Sequence, residues 1–330
     1  MINISVIVVC FNEEDNIWAC LESLTLQSYL IDNFEIIVVD GGSKDQTQTI
    51  IADFVKEYSH IKMVVEPRAG TAIGRNAGVA AAQHPFVAFI DADCEAPPDW
   101  LERLAYNFVE YSKSDPHLVA VGGGNIPPPD SGPFVQAVGV AMDSFAGSFN
   151  SAQGRQFAEV KYVSSLATLN VIYNKQAIND VGGFDISLGS EAEDAELNFR
   201  LFYQGKRFIF IPDLHVLHKF RPTPTVWFKN MLRYGRGRAR LLKRHKNMWS
   251  ISYALPLIFL AVFCSLALIF FHPVFALPIL YFPFILIYGT ILALKKNRAG
   301  LSFHVALVFI VQHFAYAIGE ASGLLNPQVK

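Results

Sequence analysis

From residue 3 to about 125, short β-branched apolar runs take turns with longer amphipathic stretches. The runs are "NISVIVVC", "FEIIVVD", "IKMVVE", "PFVAFID" and "LVAVGGG", and the stretches between them cover 14–27, 45–58, 71–83 and 98–114. This alternation predicts strand and helix in turn, hence an α/β domain whose mainly parallel sheet is covered on both faces. Runs such as "EIIVVD" are apolar at consecutive positions, as suits strands with no solvent-facing side. Ligands of such sheets bind beyond the carboxyl ends of the strands. Three of those ends carry polar or acidic groups: Asn12 with Glu13, Asp40, and Asp91 with Asp93. Residues 126–160, with "PPPDSGP" and a Gly-, Ser- and Ala-rich segment, read as a loop-rich connection. Beyond them the pattern predicts a strand at "TLNVIYN", a helix near 175–181, a turn at "GGFD", a helix over about 192–204 and a strand at "RFIFIP".

After residue 250 nearly every position is apolar. "ISYALPLIFLAVFCSLALIFFH", "PVFALPILYFPFILIYGTILAL" and "LSFHVALVFIVQHFAYAIG" contain no Lys, Arg, Asp or Glu. Each approaches or exceeds the roughly 20 residues that cross a bilayer, so about three transmembrane helices are predicted. Hydrophobic residues make up 52% of the chain, more than a wholly soluble protein usually carries, and this tail holds the excess.

The net charge of -2 conceals a block from Lys229 to Lys246 with eight Lys or Arg. Basic residues beside a span attract anionic lipid and stay on the cytoplasmic side. With "KKNR" at 295–298 as the second basic flank, a segment of about 251–272 runs outward and one of about 273–294 returns. A third, of about 301–319, would carry Glu320 and Lys330 to the far side. Pro256, Pro278 and Pro283 allow a re-entrant hairpin of the first two segments instead. "ISVIVVC" begins at residue 4 without a basic leader and is too short for a signal-peptide core, so the N-terminal part is expected to stay where it is made. Cys10, Cys20, Cys94 and Cys264 lack metal-ligand spacing and read as packing residues.

Asp91 and Asp93 need a partner, because an unpaired carboxylate in apolar surroundings is costly or becomes neutral. Two carboxylates at a strand end offer hard oxygen ligands to Mg²⁺ or Mn²⁺, ions that keep positions open for phosphate oxygens. The alternative is that the pair caps the helix starting near Pro98. A nicotinamide or flavin site is disfavoured. It wants G-x-G-x-x-G opening a helix after the first strand, whereas "FNEEDN" follows that strand, and "GGGNIP" at 122–127 has Pro127 at the third glycine position.

Six segments, "SVIVVCFNEEDNI", "EIIVVDGGSKDQT", "RNAGVAAA", "FIDAD", "VGGFD" and "EDAELNFRLFYQG", span roughly residues 3 to 212. In their order and approximate spacing the chain resembles the family 2 glycosyltransferases, inverting enzymes with the GT-A nucleotide-sugar fold. "SEAEDAELNFR" followed by "RYGRGRARLLKRH" is similar to the membrane-anchored bacterial branch that builds exopolysaccharide repeats, the succinoglycan-type glucosyltransferases. Gly41 departs from the family, which usually has a second Asp there. The resemblance implies that Glu13 and Asp40 contact ribose and base, that Arg75 approaches the nucleotide, that Asp91 lies by the ribose and that Asp93 ligates the metal. His218, in "VLHKFRPT", matches a position used for metal or phosphate by some relatives. Arg236, Arg238 and Arg240 occupy the place of a Q-x-x-R-W helix over the donor diphosphate, with Arg236 the candidate, although that Gln and Trp are missing here.

Asp194 matches the catalytic base, with Glu193 beside it in support. A carboxylate at a helix start can take the acceptor hydroxyl's proton if it faces the sugar. Plainer roles stay open for several residues: Glu13 as a helix N-terminal acid, Arg75 in a surface ion pair, and Glu196 with Arg200 as an i,i+4 pair.

These readings combine into a GT-A, Rossmann-like catalytic domain over 1–221, a basic amphipathic juxtamembrane helix over 222–249 and a membrane domain over 250–330. The expected activity is inverting transfer of a sugar from a UDP- or GDP-sugar, with Mg²⁺ or Mn²⁺, to a lipid-linked saccharide during polysaccharide or glycan assembly. The chain would be an integral inner-membrane protein with its catalytic domain cytoplasmic, and no nucleic-acid partner is expected. Rival readings are a polyprenyl-phosphate glycosyltransferase, whose phosphate acceptor needs no strong base, a processive synthase, and a non-catalytic sugar-nucleotide sensor or scaffold.

Overall fold

In chain order the elements of the first part are β1 (Ile4–Cys10), α1 (Ile17–Thr25), β2 (Phe34–Asp40), α2 (Thr47–Glu57), β3 (Ile61–Val65), α3 (Thr71–Ala81), β4 (Phe86–Asp91), β5 (Cys94–Glu95), α4 (Trp100–Ser112) and β6 (Leu118–Ile126). There follow α5 (Pro133–Met142), α6 (Phe145–Ser148), β7 (Lys161–Val163), β8 (Val171–Asn174), α7 (Lys175–Asp180), α8 (Glu193–Tyr203) and β9 (Arg207–His218). The C-terminal part holds α9 (Pro224–Arg244), α10 (Ile251–Cys264), α11 (Tyr281–Lys295) and α12 (Ser302–Leu325). This computed structural model describes residues 1–148, 151–152 and 154–326. Residues 1–126 with 151–218 form one compact unit, and residues 127–150 with 219–330 form another.

Among the described residues the first unit is built on one sheet of order β3-β2-β1-β4-β8-β6-β9-β5, with β7 also paired to β9. The β3-β2-β1-β4 half is parallel throughout. Apolar residues at successive strand positions point to opposite faces. Ile4, Val6 and Val8 of β1 pack with α1, α2 and α4, whereas Ile7 of β1 packs with α3, α7 and α8. Two helical layers thus cover the central strands β1, β2 and β4, which is why these have no solvent-facing side.

The "LVAVGGG" strand does not follow β4 in the sheet as a parallel neighbour. The short β8 runs antiparallel between β4 and β6. Hydrophobic pattern reports burial and period, not pairing, so this insertion had no signature in the run itself.

β6 bulges against β9 between Gly122 and Gly124. A Cβ at Gly123 would lie 1.7 Å from the carbonyl oxygen of Leu214, a position that only glycine can occupy. The triple glycine therefore admits close backbone contact. Buried Asn170 locks the same bulge, donating to the carbonyls of Gly124 and Leu214 at 2.8 Å each and accepting from the indole N–H of Trp100 at 2.8 Å. Beyond the bulge β9 continues until His218 stands opposite Cys94 of β5.

The loop-rich reading of 126–160 fails for residues 133–148, which form α5 and α6. α5 begins with Pro133 at its first turn, where a missing N–H costs nothing. It buries Phe134, Val135, Ala137, Val138, Val140 and Ala141 against the second unit's core. Its small apolar residues lie on nearly every side, so the sequence carries little amphipathic contrast.

In that unit α9 is capped by Thr223, whose hydroxyl accepts from the Val226 N–H, and it buries Trp227, Met231 and Leu242. Three segments are long and apolar enough to cross a membrane: Ile251–Leu268, Pro273–Lys295 and Ala299–Leu325. The third is longer than expected. α12 continues past residue 319, and Glu320 lies fully buried within it. Lys330 lies outside the described residues. Of the cysteines, Cys10, Cys20 and Cys94 are buried as expected for packing residues, whereas Cys264 is exposed on a membrane-type helix.

Candidate active site

β4 delivers Asp91 to the carboxyl edge of the sheet, and the chain turns at once into β5, bringing Asp93 to the same edge. Neither carboxylate caps α4, which begins at Trp100. Their surroundings differ.

Asp91 belongs to a cluster centred on Arg75. The Arg75 guanidinium donates to Asp91 Oδ1 at 3.1 Å and to Glu193 Oε1, and it lies 5.7 Å from the centroid of the Phe184 ring. The Arg75 and Glu193 side chains are 6% and 8% exposed, so this is a buried ion pair and not a surface one. The outer edge of Asp91 reaches solvent.

Burial raises the Glu193 pKa and the charge of Asp194 adds to the rise, both against the pull of Arg75. Asp91 is raised as well, by burial and by Asp93, again opposed by Arg75. Loop geometry makes the cluster possible. The Thr71 N–H donates to Ser190 Oγ and the Ala72 N–H to the Gly189 carbonyl, both at 2.9 Å, which ties the start of α3 to the chain before α8. Ala192 then adopts φ +64°, a left-handed conformation uncommon outside glycine, and α8 starts at Glu193.

Asp194 occupies the next position and is half-buried. Its Oδ1 accepts the Ala195 N–H at 2.7 Å. Glu193, Asp194 and Glu196 all fall in the first turn of α8, where the helix dipole favours negative charge. Glu196 is fully engaged with Arg200, at 2.6 to 2.8 Å, as the i,i+4 reading expected.

Asp93 belongs to a second cluster. Its Oδ2 is 3.5 Å from Nε2 of His218, and the Cys94 thiol lies 3.9 Å from its Oδ1. One ligand atom from each of Asp93, Cys94 and His218 falls within 4.8 Å of the others, so the group could hold a divalent cation. A carboxylate and an imidazole suit such an ion. Cys94 suits it less, because sulfur is a soft ligand whereas Mg²⁺ and Mn²⁺ favour oxygen; burial, then Asp93 and Asp91, push its thiol pKa well up. Asn125 completes this cluster, with Nδ2 3.0 Å from Nδ1 of His218.

The remaining candidates sit elsewhere. Asp40 is fully buried, and its Oδ1 accepts from the N–H groups of Gly42 and Ser43 and from Gln48 at 2.6 to 3.0 Å, closing the turn after β2. Glu13 accepts from Asn16 at 2.7 Å beside the start of α1, and its own N–H donates to Thr47 at 2.8 Å. Arg236 belongs to the other compact unit, exposed on α9. Arg238 is the inward arginine there, 4.5 Å over the Tyr253 ring. Sequence reasoning missed Asn125, Phe184 and Asn170. The triple glycine directly before Asn125 was the signal that could have drawn attention to it.

The fold accords with the comparisons. The family model described as Glycosyl transferase family 2 matches residues 5–138, and the one described as Glycosyl transferase family group 2 matches residues 86–294. The second takes in more than half of the chain, which belongs to the family 2 glycosyltransferases. Glycosyltransferase AglE of Haloferax volcanii is 29% identical over 72% of this chain and 73% of its own length. A dolichyl N-acetyl-alpha-D-glucosaminyl phosphate 3-beta-D-2,3-diacetamido-2,3-dideoxy-beta-D-glucuronosyltransferase of Methanococcus voltae is 24% identical over 98% of this chain and 97% of its own. The succinoglycan biosynthesis protein ExoA of Rhizobium meliloti is 27% identical over 76% and 74%.

Among solved structures, the mannosyltransferase PcManGT of Pyrobaculum calidifontis, in complex with GDP-Man and Mn²⁺, shares the fold. It has a TM-score of 0.61 at 20% identity, covering 94% of this chain and 87% of that one.

Proposed function

We propose that this glycosyltransferase moves a sugar from a nucleotide-sugar donor to a hydroxyl of a lipid-linked saccharide, with inversion, and that Asp194 is its base. The observation that carries the reading is the division of labour at the start of α8. Glu193 is bound to Arg75, whereas Asp194, one residue on, is half-buried, its Oδ1 accepting the Ala195 N–H. In the proposed step Asp194 takes the proton of the acceptor hydroxyl, the freed oxygen bonds to the anomeric carbon, and the bond from that carbon to the diphosphate breaks. Arg75 and Glu193 position the turn that holds Asp194.

Asp93 and His218 would hold Mg²⁺ or Mn²⁺, and such an ion offsets the charge gathering on the departing diphosphate. Glu13, Asp40 and Asp91 would shape the ribose and base side, Asp40 by fixing its loop. Arg236 remains the candidate for diphosphate contact. The Methanococcus relative, a dolichyl-phosphate-saccharide transferase by name, supports a lipid-linked saccharide acceptor, and three membrane-type helices support a membrane site of action.

Screening UDP- and GDP-sugars for metal-dependent hydrolysis by the purified full chain is the direct test. Absence of turnover on every donor, with lipid-linked acceptors supplied, would favour a non-catalytic sensor.

The catalytic part is proposed to face the cytoplasm, with the spans crossing three times in the inner membrane. A cysteine at position 272 of a Cys-free variant should react with an impermeant thiol reagent outside intact cells, and one at 297 should not. The reverse pattern would overturn this orientation.

A further inference from the structure

We propose that Asn125 is a positioning residue that sets the ring tautomer of His218 for cation binding. The proposal rests on the reading of Asp93 and His218 as a metal site. Asn125 is only 2% exposed and lies on β6 opposite Val216, two residues before His218 on β9. Its Nδ2 meets Nδ1 of His218 at 3.0 Å, while its Oδ1 is buried with no hydrogen-bond partner.

A neutral imidazole has one N–H and one bare nitrogen, and its partners choose which is which. With Nδ2 donating to Nδ1, the ring proton must sit on Nε2, where it faces the Asp93 carboxylate at 3.5 Å. That arrangement hides the lone pair a metal needs. Turning the Asn125 carboxamide over exchanges its oxygen and nitrogen without moving the backbone. Oδ1 would then accept from Nδ1–H and gain a partner, the amide nitrogen would take the place Oδ1 leaves, and the Nε2 lone pair would face the same gap as Asp93. A ligating imidazole that donates its other N–H to a fixed acceptor is held in orientation and made more basic.

The test is Mn²⁺ binding by the full-length protein in detergent, followed by the electron paramagnetic resonance signal of free Mn²⁺, with Mn²⁺ alone and with UDP added. Asn125→Leu, which offers no acceptor, should weaken Mn²⁺ binding by about 10- to 100-fold. Asn125→Asp, which can only accept, should retain it. In a His218→Ala background Asn125→Leu should cost nothing further, because its effect passes through that ring. Should Asn125→Leu not fold, Asn125→Ala carries the same expectation.

Wild-type Mn²⁺ affinity in Asn125→Leu would overturn the proposal, as would an Asn125→Asp variant as weak as Asn125→Leu or an undiminished loss in the His218→Ala background. In those cases the metal site itself would stand. A wild-type protein that binds no Mn²⁺ with or without UDP would instead remove the metal reading, and this proposal with it.

Discussion

Asp91 and Asp93 stand two residues apart at one strand end, yet the fold gives them opposite surroundings. Asp91 meets a cation built into the chain, the Arg75 guanidinium shared with Glu193. Asp93 meets an imidazole and a thiol, with Asn125 behind the ring. The first cluster sets one guanidinium of the chain between two carboxylates and ties α3, β4 and α8 together. The second gathers oxygen and nitrogen donors suited to an ion from outside. One pair of like residues thus divides into a structural joint and a candidate ligand set, and the division is made by what the neighbouring elements bring.

The sharpest way to break this contrast lies at Asp194, which borders the Arg75 cluster without joining it. Asp194→Asn should keep donor affinity and lower turnover by roughly 10² to 10⁴. Wild-type turnover with normal donor binding would remove it as the base. Arg75→Met should act on the fold, since it strands buried Glu193. Loss of one partner of a buried ion pair costs about 3 to 5 kcal/mol. Thermal or urea melts would show this, and the double variant Arg75→Met with Glu193→Met should recover much of the loss. Equal melting of Arg75→Met and wild type would show that the cluster is no joint.

Asp93→Asn should leave melting nearly unchanged and abolish the metal dependence of UDP affinity, measured by calorimetry with and without Mn²⁺. Unaltered metal dependence would take Asp93 out of the site. The smallest effect concerns pH. The Glu193 pKa is raised by burial, so above its ordinary value of 4.5 the folded chain keeps a proton that the unfolded chain has lost. Stability should therefore fall as pH rises from that value through the raised one. Glu193→Gln should flatten that slope, and an unchanged slope in melts taken from pH 4 upward would place its origin elsewhere.

Much of the fold was legible. The parallel half of the sheet, its helices and the three membrane-type segments follow from hydrophobic period, because burial on two faces or in lipid leaves a local imprint. α5 was not legible, since an apolar helix of small residues has no contrasting face to read. The Glu196–Arg200 pair was legible because helix geometry places i and i+4 together. The Arg75–Glu193 pair was not, because it joins residues 118 positions apart.

The sequence by itself determined which residues are chemically able: two carboxylates at a strand end, an acidic helix start and a basic block before an apolar tail. Tertiary structure decided their allegiances. Arg75 went to Asp91 and Glu193 because the 189–192 turn is pinned to the start of α3. His218 came to Asp93 because a glycine bulge let β9 pass against β6 and continue to β5. Charges interact over a few ångströms, and only the folded chain sets those distances.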